Sequence, residues 1–185
     1  QKLEDMFPDY EGRLLGEEER ILIPCYTRQK KLIGLTCRGI HNERLRYVTI
    51  KAQKDHPLVF GLDKVNINKT VYVLEGPIDS MFINNSISVG GSDFKRISNI
   101  TTKENFVMVY DNQPRNIQLV NTMQDMINKG YKVVIWPEYI KEKDINEMIL
   151  AGKSVDEVFK IINENACSTL QANLRLKEWR KINAV

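Results

Sequence analysis

From Thr70 onward the chain repeats one pattern, a short apolar run followed by a stretch with helical spacing, and few folds accommodate it. Val71–Leu74, Ser86–Val89, Phe106–Tyr110 and Tyr131–Trp136 read as strands. Between them, Pro77 to about Asn84 and Ile117–Lys129 read as helices, with Pro77 suited to a first turn and Gly130 to a stop. Such alternation predicts an α/β fold, a mostly parallel sheet flanked by helices. Asp144–Leu150, Val155–Asn163 and Ser168–Ile182 then read as three C-terminal helices, the last with a basic end.

The chain before Thr70 differs. Arg20–Tyr26, Lys31–Arg38 and Leu45–Lys51 are rich in Ile, Leu, Val and Tyr and predict a small antiparallel sheet. Pro24 makes the first of these an edge strand, or ends it early. The expected organisation is a basic β-rich subdomain over 1–69, a sheet-and-helix domain over 70–152 and a helical segment over 153–185. Net charge is only +3, but nine basic residues against one acid, Glu43, lie between Arg20 and Lys54. That excess suits a polyanionic partner. It equally suits a sheet edge kept soluble by charge, and composition alone leaves the two level.

Several classes are excluded. Apolar runs of four to six residues fall far short of the ~18 needed to span a bilayer, so no membrane role is expected. Gln1-Lys2-Leu3-Glu4-Asp5 carries no secretory signal, and a start at Gln reads as a fragment. Cys25, Cys37 and Cys167 are far apart, and His41 and His56 are the only imidazoles. Neither a structural zinc site nor a disulfide framework is expected, and a reducing cytoplasm fits best.

Carboxylates recur at strand ends. Glu75 follows Val71–Leu74, Asp111 follows Phe106–Tyr110, and Asp144 comes after Tyr131–Trp136 at a helix start. In open parallel sheets functional groups collect at the carboxyl ends of strands. Three acids delivered there form a set of hard oxygen donors of the kind magnesium prefers. In Glu75-Gly76-Pro77-Ile78-Asp79 the glycine allows a tight turn, and Asp79 lies about one helical turn beyond Glu75. Each acid has a plain structural reading too, Asp144 as an N-cap and Asp111 as a turn former before Pro114. Together, at three strand ends, the functional reading is the better one.

Glu75-Gly76-x-x-Asp79, Asp111 and Lys143-Asp144, each following a hydrophobic strand, resemble the three acidic motifs of Toprim domains. Upstream, RILIPCY, KLIGLTCRG and LRYVTIK resemble the primase segment that precedes that domain. VYVLEGPIDSMFINNSISVGGSD, VYDNQPRN and KDINEMI are similar to the DNA primases of T-even-like bacteriophages, and the likeness runs from about Arg20 to Asn173. The resemblance implies a DNA-directed RNA polymerase, a nucleotidyltransferase that makes short RNA primers on single-stranded DNA from ribonucleoside triphosphates. It implies Mg2+, with Mn2+ able to substitute, and a replicative helicase as partner in a primosome. The expected location is the cytoplasm, that of the host cell if the chain is phage-encoded. Glu75, Asp79, Asp111 and Asp144 would form the metal site, with Glu75 and Asp111 catalytic. Arg38, Arg46 and Lys143 would hold template backbone or triphosphate, and the Gly90-Gly91 turn would bring backbone N–H groups to a phosphate.

Two positions depart from the family pattern. The second motif reads Asp111-Asn112-Gln113 where many Toprim proteins have Asp-x-Asp, and Asn146 stands where bacterial primases place an acid. A less negative site leaves the number of metals open. The alternatives are a Toprim metal-dependent nuclease and a non-catalytic module that binds single-stranded DNA or a helicase. A topoisomerase has no room for its tyrosine-bearing domain, and no GxxxxGK[ST] supplies a motor. The zinc-binding domain usual in the family has no counterpart here. Tyr47, Tyr72, Tyr110, Tyr131, Trp136 and Cys37 are expected to serve the core, and the basic C-terminal helix to be solvated or to face a partner.

Overall fold

The computed structural model describes residues 19–41, 44–52, 58–90, 97 and 100–181. The chain forms two compact units, divided between Lys64 and Val65.

The first unit holds an antiparallel sheet of β1 (Arg20–Tyr26), β2 (Leu32–Gly39) and β3 (Tyr47–Lys51), in that order across the sheet. Pro24 lies on β1, an edge strand, where its missing N–H removes no ladder bond the sheet needs. Burial alternates along the strands: Ile23, Cys25, Ile33, Leu35, Cys37 and Ile50 are buried, while Ile21 and Leu22 are about half exposed. Cys37 is a core residue, as expected. Gly34 faces Lys51 across the ladder, and a Cβ there would overlap the Ile50 carbonyl oxygen and the Leu58 side chain. That glycine is required by space.

The second unit is a five-stranded sheet in the order β5-β4-β6-β7-β8. It comprises β4 (Val71–Leu74), β5 (Ser86–Ser88), β6 (Phe106–Val109), β7 (Lys132–Val134) and β8 (Ala166–Cys167). The first four are parallel, and β8 joins β7 antiparallel. Every residue of β4 and β6 is buried, which is the signature of strands covered on both faces. On one face Tyr72, Leu74, Val107 and Val109 share a core with Trp136, Ile145, Met148, Val158 and Ile162.

The helices are α1 (Pro77–Ser80), α2 (Ile117–Asn128), α3 (Ile145–Leu150), α4 (Val155–Asn165) and α5 (Thr169–Trp179), with a 3-10 turn at Lys103–Asn105. Asn116 caps α2 by accepting from Leu119 N, and Ser154 with Glu157 forms a capping box on α4. On α5, Ala172 and Leu176 are buried, and Gln124 of α2 donates to Asn173 of α5 at 2.5 Å.

Two expectations need correction, and one strand was not anticipated. The helix from Pro77 ends at Ser80, because residues 81–85 form turns that reach Asn85, whose φ of 54° is left-handed. The last helix stops at Trp179, and Arg180 is extended at its C-cap. The two-residue β8 carries too little pattern to be read from sequence, and the partner strand β7 supplies its definition.

Gly34→Ala is expected to destabilise the first unit by about 1–3 kcal/mol, the usual cost of overpacking. Thermal melting checks this, and an unchanged Tm would contradict the reading of Gly34.

Candidate active site

The parallel register decides where the acids meet. Leu74 pairs with Val109, so the chain leaves both central strands at the same level. Glu75 then sits beside the start of the Asp111 loop, and its Oε1 accepts from Asp111 N at 3.3 Å. Asp79, on α1, folds back toward that edge. Gly76 has φ −100°, an ordinary extended conformation, so backbone freedom is not its role. A Cβ there would come within 2.7 Å of Asp79 Oδ2, so glycine makes room for the carboxylate to turn inward.

Asp79 Oδ1 accepts from Asn146 N at 2.9 Å, which ties α1 to the first turn of α3. Asp144 is the N-cap of α3, with Oδ1 accepting from Glu147 N at 2.8 Å. The N-cap reading of Asp144 holds, and the same residue lines the crevice. Glu75, Asp79, Asp111 and Asp144 all line one small concavity, floored by Leu74, Val109, Tyr110, Trp136 and Ile145.

Electrostatics follow from this crowding. Burial, reinforced by the Asp111 charge, pushes the Glu75 carboxyl up to about 7. Burial likewise takes Asp79 up to about 6, against the Asn146 amide that stabilises its anion. Asp111 is also raised by burial, with Lys143 opposing. The Lys143 ammonium stands 3.4 Å from Asp111 Oδ2 but is 41% exposed, so it neutralises the cluster only in part.

Among the described residues, no group of three or more His, Cys, Asp or Glu is drawn tightly enough to hold a metal as it stands. The donor set nonetheless fits a hard divalent cation: four carboxylates face one crevice, and burial makes the anions costly without a counter-charge. Asn146 contributes its backbone N–H to Asp79. Gln113 Nε2 lies 3.4 Å from Asp111 Oδ2, turned toward the first acid of its motif.

The remaining candidates are Gly90, Gly91, Arg38 and Arg46. Gly90 has φ +66°, and its N–H donates to the Glu75 carbonyl at 3.1 Å. That bond steadies Glu75 and occupies the amide expected to face a phosphate. Gly91 lies outside the described residues. Arg38 and Arg46 belong to the first unit. The Arg38 guanidinium lies 4.8 Å from the centroid of the Tyr47 ring, a cation–π contact, and Arg46 is exposed. Tyr72, Tyr110 and Trp136 are buried as expected, whereas Tyr47 is 38% exposed.

Sequence reasoning missed two residues, Asn112 in a structural role and Trp179. Asn112 Nδ2 donates to the carbonyls of Ile140 and Glu142, and its Oδ1 accepts from Trp179 Nε1 at 3.1 Å. No local signal could reveal a pair 67 residues apart. Both line a cavity of about 920 Å3 formed by the Asp111 loop, the chain after β7 and the end of α5.

The DNA primase of Enterobacteria phage T4 is 32% identical over 168 residues, covering 89% of this chain and 48% of that protein. The chain is a homologue of the DNA primases. It spans about half the length of the curated relative it matches. No family model matches. Among solved structures, the Aquifex aeolicus primase, comprising zinc-binding and RNA polymerase domains, aligns with TM-score 0.62 and 18% identity. That match covers 86% of this chain and 44% of the Aquifex chain. The primase fragment of the bacteriophage T7 primase-helicase protein aligns with TM-score 0.59 and 16% identity, over 80% of this chain and 63% of the fragment. These structural likenesses show that the primase homologue shares the fold of primase catalytic cores, the Toprim fold expected from its acidic motifs.

The raised carboxyls give a stability prediction for the metal-free primase homologue. Glu75 and Asp79 stay protonated in the folded protein at pH values where the unfolded chain has lost those protons. The folded state therefore binds more protons, and stability falls as pH rises from about 4.5 toward about 7. Glu75→Gln removes part of this loss and is expected to raise Tm by a few degrees at about pH 8 in chelator. A melt showing Glu75→Gln no more stable than wild type there would contradict the assigned burial.

Proposed function

We propose that this chain is a primase catalytic core, which synthesises short RNA primers on single-stranded DNA by nucleotidyl transfer from ribonucleoside triphosphates. The observation that carries the reading is the convergence of Glu75, Asp79, Asp111 and Asp144 on one crevice at the carboxyl edge of a parallel sheet. Homology to the phage T4 primase supports the choice of primer synthesis among the chemistries such a crevice could perform.

Glu75, Asp79, Asp111 and Asp144 would hold magnesium, or manganese in its place. When bound, the ion would neutralise charge on the phosphoryl group undergoing displacement and favour ionisation of the attacking hydroxyl. The chain's own residues do the rest. Glu75, fixed at the strand edge by the Asp111 N–H, is suited to assist removal of the proton of the primer's 3′-hydroxyl as it attacks the α-phosphorus and pyrophosphate departs. Asp111 orients beside it through the contact between its N–H and Glu75 Oε1. Lys143, beside Asp111, can move its exposed ammonium to the departing pyrophosphate. Arg38 and Arg46 serve template backbone or triphosphate, as guanidinium groups suit bidentate phosphate contact.

A replicative helicase is the proposed protein partner. The name of the T7 primase-helicase protein, one of the structural relatives, supports this. No described helix is long and apolar enough to cross a membrane. The proposed place of action is the cytoplasm of the cell in which the DNA is copied.

The test is primer synthesis on single-stranded DNA with labelled ribonucleotides, with magnesium and manganese in separate reactions and protein at high concentration. Glu75→Gln and Asp111→Asn are each expected to reduce RNA product by about 10²–10⁴-fold, the usual scale for loss of a proton-transfer or electrostatic group. Wild-type product that both variants retain would overturn the assignment. Template cleavage without nucleotides would favour the nuclease reading instead.

A further inference from the structure

The chain has two tryptophans, and both indoles donate to the residues that flank Asp111. Trp136 Nε1 donates to the Tyr110 carbonyl at 2.7 Å, and Trp179 Nε1 donates to Asn112 Oδ1 at 3.1 Å. Asn112 itself is fully engaged. Its Nδ2 donates to the Ile140 carbonyl at 3.0 Å and the Glu142 carbonyl at 3.1 Å, while its backbone N–H donates to the Lys143 carbonyl at 2.6 Å. Two side-chain donors and one acceptor are all used by neighbours of matching character.

No other side chain of this size could replace it without loss. Aspartate would turn a carboxylate toward two carbonyl oxygens, and leucine would leave the half-buried carbonyls and the indole N–H without that partner. The position of this joint in the chain gives it a consequence for the crevice. Asp111 precedes Asn112 and Asp144 follows Lys143, so the Asn112–Lys143 backbone bond ties the loops that carry two of the four acids. Trp179, the last residue of α5, holds the amide in that joint, and Lys181 N adds a bond to the Pro114 carbonyl at 2.8 Å.

We propose that Asn112, held by the Trp179 indole, is the positioning residue that sets Asp111 against Asp144, so that the C-terminal helix α5 helps to build the cation site. This rests on the carboxylate crevice being the reacting centre. Neither Asn112 nor Trp179 touches the reacting groups; each acts through the loop that delivers an acid. Helix α5 is then part of the active-site framework as well as a cover for the sheet.

The experiment compares wild type with Trp179→Phe, which keeps a ring for packing and removes the N–H, and with Asn112→Ala. Lys177→Ala, on an exposed position of the same helix, is the control. Amide hydrogen exchange is measured on the metal-free protein, Mn2+ affinity by electron paramagnetic resonance, and Tm by melting. Trp179→Phe is expected to keep Tm within a few degrees and to accelerate exchange at Asn112 N–H. Its Mn2+ affinity should fall by about 10–100-fold, the scale seen when a partner behind a metal ligand is removed. Asn112→Ala should fall at least as far wherever it folds, and Lys177→Ala should match wild type. Wild-type Mn2+ affinity in Trp179→Phe would overturn the inference alone, whatever the exchange shows. Failure of wild type itself to bind Mn2+ would overturn the proposed function and this inference with it.

Discussion

Four carboxylates share one partly buried crevice, and the energetic difficulty of ionising them together governs the rest of the second unit. The anions of Glu75, Asp79 and Asp111 are disfavoured by lost hydration and by their neighbours, which is why Glu75 and Asp79 are raised so far. The protein compensates with oriented amides. Asp111 N–H serves Glu75, Asn146 N–H serves Asp79, and Glu147 N–H serves Asp144. Lys143 is the one ammonium paired with the cluster among the described residues, and it is too exposed to neutralise it fully. That unmet cost of charge is what supports the proposed cation there.

The fold's contribution is level and spacing. Two fully buried strands in register bring Glu75 and Asp111 out at one edge, where their loops meet the capped start of α3. A short helix from Gly76 returns Asp79 to the same edge, and the missing Cβ of Gly76 gives the carboxylate its space. The hydrophobic core beneath, with Trp136, Ile145 and Met148, holds these loops at fixed separation. Gathering these carboxyls at one edge therefore costs stability, as the raised Glu75 and Asp79 carboxyls show.

Much of this was legible in the sequence, for physical reasons. Val71–Leu74 and Phe106–Val109 are uniformly apolar because helices cover both faces, so both strands and the acids that follow them could be read directly. The N-cap reading of Asp144 was legible because its carboxylate stands directly before a helical pattern, and the cap also brings it to the crevice. The length of α1 was overestimated, since the turn chemistry of residues 81–85 overrides a helical spacing that continues to Asn84. The role of Gly76 was read as conformational freedom, whereas its φ is ordinary and close approach is the constraint. Asn112 drew no reading of its own, as the middle position of Asp111-Asn112-Gln113; its side chain is a hydrogen-bonded joint to partners 28, 30 and 67 residues away, which local pattern cannot reveal.

The crevice is proposed to be a set of buried carboxylates that takes up a cation. Calorimetric titration of the metal-free protein with Mg2+ at about pH 6.5, in two buffers of different ionisation enthalpy, tests it most directly. With Glu75 near 7, a substantial fraction is protonated there, so binding should release protons and the observed heat should depend on the buffer. Saturable binding with proton release, both reduced in Glu75→Gln, is the predicted result. Binding whose heat is identical in the two buffers, or no binding at all, would contradict the account.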